Sequence, residues 1–272
     1  MICALCPHHC TLAEGQTGLC RARQNSGGKI ICTNYGRVTS LALDPIEKKP
    51  LRRFYPGSLI LSVGSYGCNL RCPFCQNYEI SMADADAQSC YVAPQALVER
   101  ALALRQRGNI GLAFTYNEPL VGYEYVRDCA ALAHEKDLKT VLVTNGMIEA
   151  EPLAVLLPLI DALNVDLKGF TQTFYTFVGG DLETVKRSIA LAAERCHVEV
   201  TTLIIPGRND DPDDMEREAA WLASLNPELP LHISRFFPRY RLTDCPPTPL
   251  ETVYALRDVA ARHLRYVYTG NC

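Results

Sequence analysis

The stretch SLILSVGSYGCNLRCPFCQN, residues 58–77, runs a β-rich segment straight into three cysteines, Cys68, Cys72 and Cys75, spaced C-x-x-x-C-x-x-C. Working outward, the chain alternates. An amphipathic helix over 94–108 precedes a strand over 109–116 and a helix over 120–136. Strands over 139–145, 162–168, 198–206 and 231–237 then alternate with helices over 149–159, 182–195 and 211–225. A last helix, 250–264, precedes a short strand, 265–270. Apolar and β-branched runs separated by helices argue for a parallel sheet covered by helices, either a barrel or an open doubly wound sheet.

In both architectures the loops leaving the C-terminal strand ends converge on one mouth, where the chemistry sits. In chain order those ends carry Cys68–Cys75, Thr115–Glu118, Thr144 and Asn145, Asp166 and Lys168, Pro206–Arg208, and Arg235. Upstream, residues 1–27 read as a loop-rich cysteine module, and 29–50 as a β-hairpin turned near Tyr35 and Gly36. We place the boundary after residue 55, with the core barrel over 56–272.

Composition narrows the partners. A net charge of −3 gives no global attraction to nucleic acid or to an acidic membrane surface, so neither is expected as a partner. The most apolar stretch, 153–165, is interrupted by Pro158 and Asp161, and the N-terminus lacks a signal-peptide pattern, so a cytoplasmic protein is expected. In a long cytoplasmic chain, grouped cysteines among thirteen point to metal or redox chemistry rather than disulfides.

A four-iron, four-sulfur cluster normally takes four thiolates. Three from one short loop leave one iron open for a substrate or cofactor, and a zinc site with a distant fourth ligand is the alternative. A second group, Cys3, Cys6, Cys10 and Cys20, has enough thiolates for one complete site, zinc or iron–sulfur. His8 and His9 beside it read as solvated, Cys272 as a spare ligand, and the isolated cysteines as small buried hydrophobes.

The segment Cys68-Asn69-Leu70-Arg71-Cys72-Pro73-Phe74-Cys75 resembles the signature of the radical S-adenosylmethionine (SAM) superfamily. Cys75-Gln76-Asn77, Tyr116-Asn117-Glu118-Pro119, Thr144-Asn145-Gly146, Asp166-Leu167-Lys168 and Ile205-Pro206-Gly207 extend the likeness to the glycyl-radical-enzyme activases, such as the pyruvate formate-lyase activating enzymes. DPIEKKPL, FYPGS, FTYNEP and HISRFFPRYRLTDCPPTP resemble the radical SAM member of the AmmeMemoRadiSam system. The resemblance implies a partial parallel (β/α)6 TIM-like barrel. It also implies a [4Fe–4S] cluster on Cys68, Cys72 and Cys75 that reductively cleaves SAM to a 5′-deoxyadenosyl radical, which abstracts hydrogen. The electron donor would be a flavodoxin or ferredoxin, and the substrate a polypeptide, as for the activases, or alternatively a small molecule or peptide side chain. A non-catalytic iron–sulfur redox or electron-transfer protein is the competing class.

The same resemblance implies SAM contacts from Phe74 to adenine, from Asn117 and Glu118 to the amino group, and from Asp166 and Lys168 to the ribose or amine and the carboxylate. Thr144 and Asn145 would add contacts, and Asn77 would orient the cluster loop. A salt bridge at the sheet rim is the alternative for Asp166 and Lys168. His232 and Arg235 read as facing one side of the sixth strand together, Arg235 as a SAM contact or a buried, paired arginine. Asp210 and Asp211 read as a helix cap, and the basic run Lys48, Lys49, Arg52 and Arg53 as a solvated edge. Three departures from the activases, Tyr116-Asn117 for Gly-Gly, Gln76 for histidine and the lack of a cysteine-rich insertion after Cys75, weigh against glycyl-radical activation. SAM cleavage is untouched by them.

Overall fold

The structure, a computed structural model, describes residues 1–272. A first hairpin pairs β1 (Arg23–Ser26) with β2 (Lys29–Cys32), and β3 (Arg37–Val38) pairs with β6 (Cys90–Tyr91). The main sheet contains β4 (Ser40–Pro45), β5 (Leu59–Gly64), β7 (Asn109–Phe114), β8 (Lys139–Thr144), β9 (Ala162–Asp166), β10 (His197–Ile204), β11 (Leu231–Arg235) and β12 (Val267–Gly270), side by side in that order. All of its pairings are parallel except β4 with β5. This is the partial parallel barrel of the sequence reading, with an antiparallel strand added at its first edge.

Eight helices accompany the strands: α1 (Tyr78–Ser81), α2 (Pro94–Ala103), α3 (Tyr123–His134), α4 (Ala150–Leu156), α5 (Gln172–Val178), α6 (Leu182–Ala193), α7 (Pro212–Leu225) and α8 (Leu250–Ala260). Their starts follow capping chemistry. Asp181 accepts from Thr184 N at the head of α6, and Asp211 from Asp213 N at the head of α7, with Pro212 in the first turn. The cap expected at Asp211 is therefore present. Helix α5 was not foreseen, although Thr171 caps it and Gly179 (φ 73°) stops it.

The strands are apolar on both faces because both are covered. Leu61, Val63, Leu112, Phe114, Leu142, Leu163 and Val200 join the outer core beneath the helices, while their neighbours Ile60, Ala113, Val141 and Ala162 point inward. The inner set packs against Ile46, Leu51 and Phe54, which plug the floor of the barrel. Gly111 is required here, because a Cβ would lie 1.8 Å from the Lys139 carbonyl oxygen of the adjacent strand.

Two expectations change. The hairpin turns at Gly27 and Gly28, not at Tyr35 and Gly36. The second half of the expected hairpin pairs with β5 instead, because its apolar residues find a longer partner in the main sheet. The basic run is a solvated edge at the side chains of Lys48, Arg52 and Arg53, but Lys49 departs from it. Lys49 is buried against Asp44 at 2.8 Å, and the amides of Arg52 and Arg53 donate to the Glu199 carboxylate at 3.0 and 2.7 Å. Their guanidinium groups lie over the rings of Tyr268 and Tyr266.

Candidate active site

Strand β5 delivers Cys68, Cys72 and Cys75 on one loop at the C-terminal end of the sheet. Three neighbours fix that loop. Arg71 N donates to Val178 O of α5 at 2.7 Å, Asn69 Nδ2 to Met147 O at 2.6 Å, and Arg241 N to Pro73 O at 2.8 Å. The last of these brings the segment after β11 across the loop, where Tyr240 stacks on Tyr78 with centroids 4.6 Å apart.

The loop leaving β7 locks the exit of β5. Asn117 Oδ1 accepts from Ser65 N, and its Nδ2 donates to the carbonyls of Tyr66, Gly67 and Glu118, so this side chain is fully engaged with backbone. Glu118 is buried and clasps the next strand end, accepting from Leu120 N, Thr144 Oγ1 and Asn145 N at 2.7–2.9 Å. Burial pushes its carboxyl up to about 7 despite these donors. Thr144 is thereby held in place. Asn145 Nδ2 reaches both Asn69 Oδ1, at 2.9 Å, and Cys68 Sγ, at 3.6 Å. Asn77 Nδ2 donates to Tyr116 O, tying the cluster loop to the β7 loop.

Tyr116 takes the left-handed conformation (φ 74°) where the activases have glycine. Its ring lies across Gly64, where a Cβ would come within 2.8 Å. Its hydroxyl donates to Asp44 at 2.7 Å, and Lys49 lies over its face.

Asp166 and Lys168 meet as an ion pair, Nζ to Oδ2 2.8 Å, at the end of β9. Burial works against the Lys168 ammonium, but Asp166 and the Cys72 and Cys75 sulfurs outweigh it and raise its pKa. Burial pushes the Cys72 thiol up to about 12, so a thiolate there needs a cation. Phe74 is buried among Phe174 and Phe177, with centroids 6.3 Å away in each case.

Arg235 Nε donates to Thr248 O, and the ring of Phe237 lies under its guanidinium. His232 lies apart, bonding Glu199 at the floor at 2.6 Å. Residues three apart on a strand face opposite sides, which overturns the expectation that these two share one. At the N-terminus, His8 is drawn out of solvent by a 2.7 Å hydrogen bond with Asn69 O, while His9 pairs with Glu149 at the surface. Cys272 is exposed and its thiol touches only Gly270 O.

Sequence reasoning missed Asn69, Arg71 and Tyr175 as supports of the loop. Tyr175 donates no charge but accepts from Lys168 N through its hydroxyl. Asn69 and Arg71 lie inside the cysteine motif, whose spacing had drawn attention only to the sulfurs.

Three thiols on one loop, two of them near the partly buried Lys168 ammonium at the mouth of a parallel barrel, match the three-thiolate cluster site that the sequence resemblance implies. The radical SAM superfamily profile matches residues 62–221, more than half the chain. The chain is 43% identical, over 99% of its length, to an uncharacterized protein of Methanocaldococcus jannaschii, covering 80% of that protein. It is 24% identical to the pyruvate formate-lyase 1-activating enzyme of Escherichia coli, over 56% of this chain and 63% of that enzyme. A crystallised domain of a pyruvate-formate lyase-activating enzyme from Bacteroides vulgatus superposes with a TM-score of 0.50 at 22% identity, over 59% of this chain and 99% of that domain. The chain belongs to the radical SAM superfamily.

Membership implies a [4Fe–4S] cluster and SAM, and the residues fit both. All three thiols sit on one loop, and the Lys168 ammonium lies within electrostatic reach of two of them, Cys72 and Cys75. Arg71 Nη1, at the loop itself, is buried without a partner. A negatively charged cluster on that loop would offer it one. No helix is long and apolar enough to cross a membrane.

Proposed function

We propose that this enzyme abstracts hydrogen from a substrate held in the barrel mouth, the cluster loop and the Asp166–Lys168 pair forming the SAM site. When bound, the cluster and SAM supply a one-electron cleavage that yields a 5′-deoxyadenosyl radical. The protein's part is to orient and to exclude. Lys168 places positive charge beside Cys72 and Cys75, where the SAM carboxylate would need it, and Asp166 offers an acceptor to the ribose or amine. Glu118 and Asn117 act one step back, holding the backbone on which Thr144, Asn145 and the cluster loop sit. A flavodoxin or ferredoxin would supply the electron, and Cys3, Cys6, Cys10 and Cys20 would hold a second metal site.

The single observation that carries this reading is that Cys68, Cys72 and Cys75 share one strand-end loop, with Lys168 in electrostatic reach of Cys72 and Cys75. Anaerobic reconstitution with iron and sulfide, then dithionite and SAM, should release 5′-deoxyadenosine, and the C68A/C72A/C75A variant should release none. Full cluster loading without any nucleoside would defeat the proposal.

Two substrate classes remain in play on different observations. Likeness to the E. coli activase favours a polypeptide. The strap over the loop and the Tyr116 ring inside the barrel favour a small molecule or short side chain, since both occupy space a threaded chain would use. Deuterium placed at candidate carbons, and followed into 5′-deoxyadenosine, separates them.

A further inference from the structure

Outside the mouth, the largest gathering of metal-ligating groups is the N-terminal quartet. The thiols of Cys3, Cys6, Cys10 and Cys20 line one largely enclosed pocket, together with Arg23 and Asn69, and none is paired in a disulfide. Cysteines kept as small hydrophobes pack against carbon. These four face a common space.

Charge around that space is unbalanced. Arg23 is only 7% exposed and binds Glu124 through both terminal nitrogens, but its Nε has no partner. Arg71, with its own unpartnered Nη1, lies within electrostatic reach of both Cys20 and Cys68. A buried cation with a donor to spare in the pocket wall calls for a negatively charged occupant. Four thiolates suit a single zinc or a cluster alike, so the position of the quartet relative to the Cys68 loop decides between them.

The two groups also touch. A Cβ on Gly67 (φ 89°) would lie 2.5 Å from Cys20 O, so the N-terminal segment packs directly on the residue preceding Cys68. Arg71 Nη2 donates to Leu19 O, and His8 Nε2 meets Asn69 O. Asn69 lines the pocket of the quartet, and a polar path runs from its side chain through Asn145 Nδ2 to Cys68 Sγ.

We propose that Cys3, Cys6, Cys10 and Cys20 hold a second [4Fe–4S] cluster, coupled through Asn69, Asn145 and Arg71 to the cluster on Cys68, Cys72 and Cys75, and serving as the entry point for electrons. A donor of the flavodoxin or ferredoxin class gives one electron to the outer cluster, reducing it from the 2+ to the 1+ state. That electron passes inward, reducing the SAM-site cluster from 2+ to 1+ and returning the outer one to 2+. The coupling rests on the reading of the Cys68 loop as a cluster site; the existence of the outer cluster does not.

Anaerobically purified wild-type protein should carry about eight iron and eight sulfide per chain and negligible zinc. The C68A/C72A/C75A variant should keep about four of each, with visible absorption that dithionite bleaches and SAM does not alter. Four iron with one zinc in the wild type, or a folded triple variant stripped of iron, overturns the outer cluster. For the coupling, the fully reduced wild type is compared by electron paramagnetic resonance with the triple variant and with the C6A/C20A variant. Spin–spin broadening beyond the sum of the two is expected, and a spectrum equal to that sum overturns the relay. Failure of SAM cleavage alone would leave the iron counts standing.

Discussion

Glu199→Gln tests the barrel floor most sharply. The carboxylate is fully buried and accepts four hydrogen bonds, from the amides of Arg52 (3.0 Å) and Arg53 (2.7 Å) and from the Nε2 atoms of His197 (2.9 Å) and His232 (2.6 Å). An amide offers one acceptor oxygen and turns an NH2 group toward donors. At least one buried N–H then loses its partner, at about 1–3 kcal/mol each, and breaking a buried charged cluster costs about 3–5 kcal/mol in all. The pH dependence supplies a second measure. Burial pushes the Glu199 carboxyl up, but its four donors outweigh that and hold it at about 2, against 4.5 when unfolded. A depressed carboxyl contributes stability that is present above the unfolded value and lost as pH falls through the folded one. At about 1.4 kcal/mol per pH unit, the interval is worth about 3 kcal/mol at pH 7, and less than half of that survives at pH 3. Urea unfolding at both pH values, with exchange of the Arg52 and Arg53 amides followed in parallel, should show the variant's deficit shrinking in acid. A deficit below about 1 kcal/mol at pH 7, or one that ignores pH, would refute this account of the plug.

Gly67→Ala places a Cβ against Cys20 O in a left-handed backbone. It should cost about 1–3 kcal/mol in thermal unfolding and expose the first thirty or so residues to protease. Asn117→Ala strands the Ser65 amide and empties three carbonyls at once, a loss of about 3 kcal/mol by the same assay, with cluster loading falling in step. Tyr116→Phe removes only the hydroxyl's bond to Asp44, which keeps Lys49, so about 1 kcal/mol is expected and a larger loss would show that the tyrosine does more. Asp166→Asn should weaken SAM retention at least tenfold in equilibrium binding while leaving iron content unchanged; unaltered binding would confine Asp166 to its ion pair with Lys168.

The parallel strands were legible because each is apolar on both faces, and the helices between them announce their caps. Cys68, Cys72 and Cys75 were legible as a loop beyond the first of those strands because the run before them is so plainly β. The floor was not. Arg52 and Arg53 display their charges in the sequence, whereas it is their backbone amides that Glu199 takes, and nothing local marks a carboxylate some 150 residues away as their partner. Glu118 shows the same limit at the mouth: its residue type announces an acceptor, but whether the donors come from a ligand or from the neighbouring strand end depends on how the ends of β7 and β8 meet. His8 read as solvent-facing for want of any sign that Asn69 O would stand opposite it. Helix α5 went unseen because its seven residues are too few to show a period, even with Thr171 and Gly179 at its ends.

The plugged floor also governs traffic. With Ile46, Leu51 and Phe54 seated beneath the lowest inward layer, the strand-end opening is where molecules arrive and depart, under the strap that Tyr240 pins to Tyr78. Whatever docks deepest must come first and go last. Turnover in such a vessel follows a queue, with the outermost guest released before the one behind it is free to leave.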